Sequence, residues 1–207
     1  MRTRIKFCGI TRLEDALAAA RLGVDALGFV FHPKSPRAID LNQACAIARE
    51  LPAFIARVAL FLDAEAEQVT AVIKALQPQA LQFHGRESPD FCVSFAMPYL
   101  KALGMDGATD VAANAARYPS AKAILLDSHM QGAPGGSGKS FDWRLVPRLP
   151  QPIILAGGLR EENVAQAVTA VRPYAVDVSS GIEREPGVKD EKKMRGFIRE
   201  VQRADAL

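Results

Sequence analysis

Eight short apolar runs, each followed by a longer polar or amphipathic stretch, constrain this chain more than any other feature. The runs are Ile5 to Cys8, Ala26 to Val30, Val58 to Leu62, Ala80 to Phe83, Tyr99 to Leu103, Ala123 to Asp127, Ile153 to Ala156 and Ala175 to Val178. They recur about every 26 residues, close to the minimum for a strand, a helix and two loops. Several are nearly continuous rather than alternating, as parallel strands covered on both faces require. Helix starts are readable between them. Thr11 with Glu14 predicts a capping box ahead of Leu13, Leu17 and Ala20, and Asp40 with Gln43 repeats it ahead of Ala44, Ile47 and Ala48. Asp63 is expected to cap the stretch of Val69, Val72, Ile73 and Leu76, which ends before Pro78. Ser88-Pro89 places a cap before a proline at the first helical position. Glu161 to Val171 and Lys189 to Arg203 carry apolar faces at helical spacing. Residues 132–140 are glycine-rich, and Pro147 and Pro150 keep the helix after them short. Strict alternation implies a parallel sheet, and eight units close it into a (β/α)8 barrel, a single α/β domain over residues 1–207. An open doubly wound sheet, which has roughly five to seven strands, is the alternative if one run is not a strand.

Composition narrows the function classes. A hydrophobic fraction of 49% over 207 residues suffices for one core and does not require two. The net charge of +3 is small and the Lys and Arg residues are scattered, which argues against a nucleic-acid partner. No apolar run approaches the ~20 residues that span a bilayer, and the first residues lack the apolar segment of a signal peptide. Cys8, Cys45 and Cys92 are widely spaced and form neither a disulfide framework nor a C-x-x-C pair. Cys45 and Cys92 lie in helical stretches and read as packing. The expectation is a cytoplasmic protein with free thiols. No membrane partner is expected, and a monomer is expected, with a homodimer as the alternative.

In a (β/α)8 barrel the chemistry collects where the strands end. Cys8-Gly9 follows the first run and His32-Pro33-Lys34-Ser35-Pro36-Arg37 the second. Gln82 and His84 lie at the end of the fourth, and Asp127 ends the sixth. Gly157-Gly158 follows the seventh, and Asp177-Val178-Ser179-Ser180-Gly181 ends the eighth. Loops after strands seven and eight often bind phosphate through backbone N–H groups, and glycines let the backbone come close to it. The bland alternative is a pair of tight turns. Cys8 reads either as a small core hydrophobe or as a reactive thiol. Asp127 reads as a turn cap or as a catalytic carboxylate. Arg37 is a surface charge or a carboxylate clamp, its planar fork suiting bidentate pairing. His129 is a further, weaker candidate. No set of residues has metal-ligand spacing, so no metal is expected. Residues 133–140 nearly fit a nucleotide-binding P-loop, with Ala133 at the first glycine position. Residues 128–131 separate them from the strand and the helix after them is short, so a glycine-rich flap adding N–H donors is the preferred reading.

Taken together these segments resemble phosphoribosylanthranilate isomerases. The resemblance rests on Lys6-Phe7-Cys8-Gly9-Ile10-Thr11, Gly28-Phe29-Val30-Phe31 through Ser35-Pro36-Arg37, Gln82-Phe83-His84-Gly85 and Leu126-Asp127. It continues through Gly135-Gly136-Ser137-Gly138 before Phe141-Asp142-Trp143, Leu155-Ala156-Gly157-Gly158-Leu159, and Val176-Asp177-Val178-Ser179-Ser180-Gly181-Ile182-Glu183. The order is the family's and nearly the whole chain is covered. Two positions depart: Phe83 stands where Leu is usual, and Ser137 where Thr is frequent. The resemblance implies a (β/α)8 barrel of tryptophan biosynthesis that converts N-(5-phosphoribosyl)anthranilate to the 1-deoxyribulose isomer without a cofactor. It also implies Cys8 as general base, Asp127 as general acid and Arg37 as partner of the anthranilate carboxylate. Gly157, Gly158, Ser179, Ser180 and Gly138 would surround the phosphate. Gly181, from the glycine-bearing turn after the eighth run, and Gln82, His84 and Asp177, from the strand ends, are further expected substrate-binding residues. Cys8 must then lose a proton beside an anionic substrate, and Arg37 with backbone N–H groups is the expected opposing influence. The related histidine-pathway isomerase is the nearest rival. It carries Asp where Cys8 stands and needs a second phosphate loop, for which Leu62-Asp63-Ala64 lacks glycines. A P-loop nucleotide-binding protein and a silent barrel that only binds a phosphorylated ligand are alternatives of other classes.

Overall fold

The computed structural model describes residues 2–105, 110–128 and 141–206. Its eight central strands are β1 (Arg4–Cys8), β2 (Ala26–Val30), β3 (Ala56–Phe61), β4 (Ala80–Phe83), β5 (Tyr99–Gly104), β6 (Ala123–Asp127), β7 (Ile153–Leu155) and β8 (Ala175–Val178). Each pairs in parallel with the next, and β8 returns to β1, so the sheet is a closed barrel and the open-sheet alternative is excluded. Around it run α1 (Leu13–Arg21), α2 (Leu41–Arg49), α3 (Ala66–Leu76), α4 (Pro89–Val93), α5 (Val111–Ala116), α6 (Glu161–Val171) and α7 (Glu191–Asp205).

Successive strand side chains point to opposite faces, and this splits the core in two. Outward residues such as Phe7, Phe29, Phe61, Phe83, Ile124 and Val176 form one layer against the helices. Phe7 meets Phe197 of α7 edge-on at 6.1 Å, and Phe83 contacts Phe61, Phe91, Phe95 and Tyr99. Inward residues form a second cluster of Val58, Leu100, Ala102, Ala123, Leu125, Ile154, Ala156 and Ala175. Above it Cys8, Val30 and Leu60 make a smaller group. The inner layer therefore ends in a thiol at the C-terminal rim.

Helix starts follow the sequence only in part. Asp40 and Ser88 cap α2 and α4, accepting from the N–H groups of Gln43 and Phe91. The box expected at Thr11 does not form, because the Thr11 hydroxyl donates to the Gly187 carbonyl at 2.5 Å and Glu14 pairs with Arg12. Asp63 does not cap α3 either. It has left-handed backbone, its Oδ1 accepts from the Arg86 N–H at 2.5 Å, and the helix begins at Ala66. Between β6 and β7 the described residues hold a short 3₁₀ helix, Trp143–Leu145, ahead of Pro147 and Pro150, as expected. After β8 an unanticipated hairpin, β9 (Glu183–Glu185) and β10 (Val188–Lys189), precedes α7, which starts at Glu191 with Asp190 as cap. Among the described residues no helix is long and apolar enough to cross a membrane.

One buried ion pair braces the β4–β5 side of the rim. The fully buried Lys101 ammonium donates to the carbonyls of Phe83 and Gly85 and to Glu87 Oε2 at 2.8 Å. The Glu87 carboxylate also accepts from the N–H groups of Gly85 and Asp63. Removing one partner strands a buried charge, so Glu87→Ala should cost about 3–5 kcal/mol. Urea unfolding followed by circular dichroism checks this, and an unchanged midpoint would show that the pair carries no stability.

Candidate active site

The strand ends surround an open-mouthed cavity, whose atom-free space including the solvent at its mouth is about 750 Å³. Its walls include Cys8 from β1, Gln82 from β4 with His84 just beyond, Asp127 from β6, Asp177 from β8, Arg37 from the loop after β2, and the turns at Gly157-Gly158 and Ser179-Ser180. Nine of the proposed site residues therefore share one space with Ser180 as the tenth, although they span the chain from 8 to 180. Gly181 is not among them: it begins the close approach of the β8 turn to the Leu159 carbonyl, where a side chain would collide. Gly138, His129 and the P-loop-like segment lie outside the described residues. Among the described residues no cluster of three or more His, Cys, Asp or Glu side chains forms a metal site.

Cys8 is buried, which pushes its thiol up, against the pull of Lys6 and Lys189. Sequence reasoning missed both lysines as site residues. Lys6 lies two residues before Cys8 on β1 and shares its inward face. Its ammonium donates to Asp177 Oδ1 at 2.8 Å, and the two residues are direct register partners across β1 and β8. Burial works to lower the Lys6 pKa, but Asp177 and Cys8 outweigh it and hold the ammonium charged above its usual range.

Lys189 comes from the hairpin. Its ammonium donates to the Cys8 carbonyl at 2.7 Å, the Ser179 carbonyl at 3.2 Å and Glu183 Oε1 at 2.7 Å. It thus ties the end of β1 to the turn after β8. Glu183 in turn accepts from Arg37 Nε at 2.9 Å and Nη2 at 2.7 Å. Two of the five Arg37 N–H groups are thereby committed before any ligand arrives. Arg37 still lines the cavity, but it is the two lysines, not Arg37, that stand closest in effect to the thiol. Burial alone would raise the Glu183 carboxyl; Arg37 and Lys189 outweigh it and hold it low. Its stabilising contribution is therefore full above the ordinary glutamate pKa of ~4.3 and is lost as pH falls through the lower native value.

Across the mouth, His84 Nε2 lies 3.8 Å from Asp127 Oδ2, and the Gln82 amide nitrogen sits 3.1 Å from His84 Nδ1. Burial pushes the His84 pKa down despite Asp127, so the ring is neutral near pH 7. With the amide donating to Nδ1, the ring proton sits on Nε2, toward Asp127. Gln82 is fully buried and its Oε1 has no partner among the described residues. Ser128 Oγ donates to Asp127 Oδ1 at 3.4 Å. Away from the cavity, Cys92 is packed at zero exposure and is likewise pushed up by burial, to about 12.

Comparison with known proteins fixes the family. Residues 5–200 match the model of the family described as N-(5'phosphoribosyl)anthranilate (PRA) isomerase. The chain belongs to that family. The N-(5'-phosphoribosyl)anthranilate isomerase of Azotobacter vinelandii is 54% identical over 202 residues, covering 97% of this chain and 98% of that one. The crystal structure of phosphoribosyl anthranilate isomerase from Thermotoga maritima superposes with a TM-score of 0.88 at 42% identity, covering 97% of this chain and 98% of that one. A further structure of such an isomerase, in complex with reduced 1-(o-carboxyphenylamino)-1-deoxyribulose 5-phosphate, gives a TM-score of 0.84 at 39% identity, with 97% and 98% coverage.

Within this isomerase-family barrel, the turn at Gly157 shows how tightly the rim is built. Gly157 has φ +82, and a Cβ there would sit 2.8 Å from Ser128 Cβ and 2.7 Å from Ser128 Oγ, next to Asp127. Gly23 has φ +84 with open space around it. Both Gly157→Ala and Gly23→Ala should pay left-handed strain of about 1–3 kcal/mol, and only Gly157→Ala adds a collision. Thermal unfolding should place Gly157→Ala below Gly23→Ala. Equal melting temperatures would mean that the Ser128 contact is easily relieved.

Proposed function

We propose that this protein isomerises N-(5'-phosphoribosyl)anthranilate to 1-(2-carboxyphenylamino)-1-deoxyribulose 5-phosphate, with Cys8 as general base and Asp127 as general acid. The observation that carries the roles is the placement of both side chains on one cavity, in a chain of this family. The substrate is an aminoaldose closed into a furanose ring. Asp127 gives its proton to the ring oxygen as the C1′–O bond breaks, while the amine lone pair forms an iminium. The Cys8 thiolate then takes the C2′ proton: an S–H bond forms, the C–H electrons make the C1′=C2′ bond, and the iminium charge is discharged. The enolamine gains a proton at C1′ and loses the one on its C2′ oxygen, leaving the ketone. One acid and one base suffice.

The remaining groups bind. Gly157, Gly158, Ser179 and Ser180 line the cavity, and backbone N–H groups of such glycine- and serine-rich turns suit a phosphate, while the Ser179 hydroxyl itself donates to the Cys8 carbonyl at 3.0 Å. Arg37 offers its uncommitted N–H groups to the anthranilate carboxylate. A neutral His84 puts no positive charge beside Asp127, which favours the protonated acid that ring opening needs. Asp177 serves the substrate indirectly through Lys6, and Gln82 presents its spare acceptor from the cavity wall.

General acid–base groups are typically worth ~10²–10⁴-fold, so Cys8→Ala and Asp127→Asn should each lower kcat by that factor. Binding of the reduced product analogue, followed by titration calorimetry, should change little. Near-normal turnover by Cys8→Ala would overturn the assignment. Arg37→Lys keeps the charge but loses the planar fork, and should raise KM far more than it lowers kcat.

A further inference from the structure

The proposed mechanism needs a negative sulfur in a buried site that will also hold an anionic substrate. We propose that Lys6 is the positioning residue that answers this need, its ammonium, anchored by Asp177, standing as counter-ion to the Cys8 thiolate. The inference rests on Cys8 being the base.

The geometry comes from three strands. Lys6 and Cys8 share the inward face of β1. Cys8 is the register partner of Gly28 on β2, and a methyl placed on Gly28 would lie 2.8 Å from Cys8 Sγ and 3.1 Å from Lys6 Nζ. Thiol and ammonium thus border the same gap, which the missing side chain of Gly28 leaves open. From β8, Asp177 holds the ammonium at 2.8 Å and fixes its position. Both members of that pair are more than nine-tenths buried, so the charge facing the sulfur is poorly screened. The remaining charged neighbours are Lys189 of β10, which grips the Cys8 carbonyl, and the Arg37–Glu183 pair behind it. His84 and Asp127 line the same cavity from just beyond β4 and from β6, and His84 also feels the charges of Asp177 and Lys6. Val30 and Leu60, which pack on Cys8 from β2 and β3, are uncharged.

This arrangement assigns opposite effects to the two members of the buried pair. Lys6 lowers the cost of the thiolate, and Asp177 raises it while keeping Lys6 charged and in place. A pair that merely plugged the barrel would stabilise the fold without acting on the sulfur. When Cys8 takes the C2′ proton, the thiolate becomes a neutral thiol and Lys6 returns wholly to Asp177, so no proton leaves the lysine.

The test is the pH dependence of iodoacetamide alkylation at Cys8, read by peptide mass spectrometry so that Cys45 and Cys92 do not interfere. Lys6→Met should move the midpoint upward by about one pH unit or more, as loss of a close opposite charge does. Lys6→Arg should restore most of it. Asp177→Asn should move the midpoint in the other direction, and this arm stands even if Lys6→Met does not fold. The ascending limb of kcat/KM against pH should follow the same order. Midpoints that stay at the wild-type value in Lys6→Met, or that move upward in Asp177→Asn, would overturn the proposal. If the midpoints move as expected but Cys8→Ala turns over normally, the base assignment fails while the charge pairing stands. If Cys8→Ala is inactive and the midpoints do not move, only the role of Lys6 fails.

Discussion

Closing eight parallel strands into a ring points every second strand residue at the barrel axis, and those residues must fill the interior themselves. Most do so with small or branched apolar groups. At β1 and β8 the ring instead encloses an ammonium and a carboxylate. Each alone would be prohibitively costly away from water, and they are tolerable only because strand register sets Lys6 directly beside Asp177. The cavity is built on this pair: Cys8 sits one step further along the same face, and the turn after Asp177 supplies Ser179 and Ser180 to the cavity wall.

A second set of buried charges locks that wall. Lys189 joins the ends of β1 and β8, Glu183 joins Lys189 to Arg37, and Thr11 fastens the tip of the hairpin at Gly187. A short hairpin after the last strand thus does what an extended loop would do poorly, holding a cation against the backbone at the end of β1. Pre-organisation of this kind matters because small displacements of reacting groups are expensive in rate. The wall at Asp127 is quieter: Gln82 and His84 present a neutral imidazole there rather than a cation.

The barrel was legible because apolar runs and their spacing depend only on local residues; the limits of β2, β4, β6 and β8 coincide with the runs at Ala26 to Val30, Ala80 to Phe83, Ala123 to Asp127 and Ala175 to Val178. Strand ends also put Cys8, Asp127, Gln82 and His84 on one rim by topology alone. Caps were less secure, since a hydroxyl such as that of Thr11 has several nearby acceptors and the distant Gly187 carbonyl won. The helix α5 carries little but alanine on its apolar side and left no periodic signal. Lys6 could have been found: a lysine and an aspartate inside two apolar strand runs, with no local partner, imply each other. Lys189 and Glu183 could not, because their contacts join residues that only the closed barrel brings together. Arg37 and backbone N–H groups are the opposing influence expected at Cys8; the Arg37 fork is turned partly to Glu183, and Lys6 and Lys189 are the cations that act against burial at the thiol.

The division of labour between Cys8 and Asp127 can be read from an isotope effect. With substrate deuterated at C2′, a weakened base makes C–H cleavage limiting, whereas a weakened acid makes ring opening limiting. The decisive measurement is the C2′ deuterium effect on kcat for Cys8→Ser beside Asp127→Asn. Cys8 as base and Asp127 as acid require a full primary effect in Cys8→Ser and an effect falling toward one in Asp127→Asn. The reverse pattern would contradict the assignment.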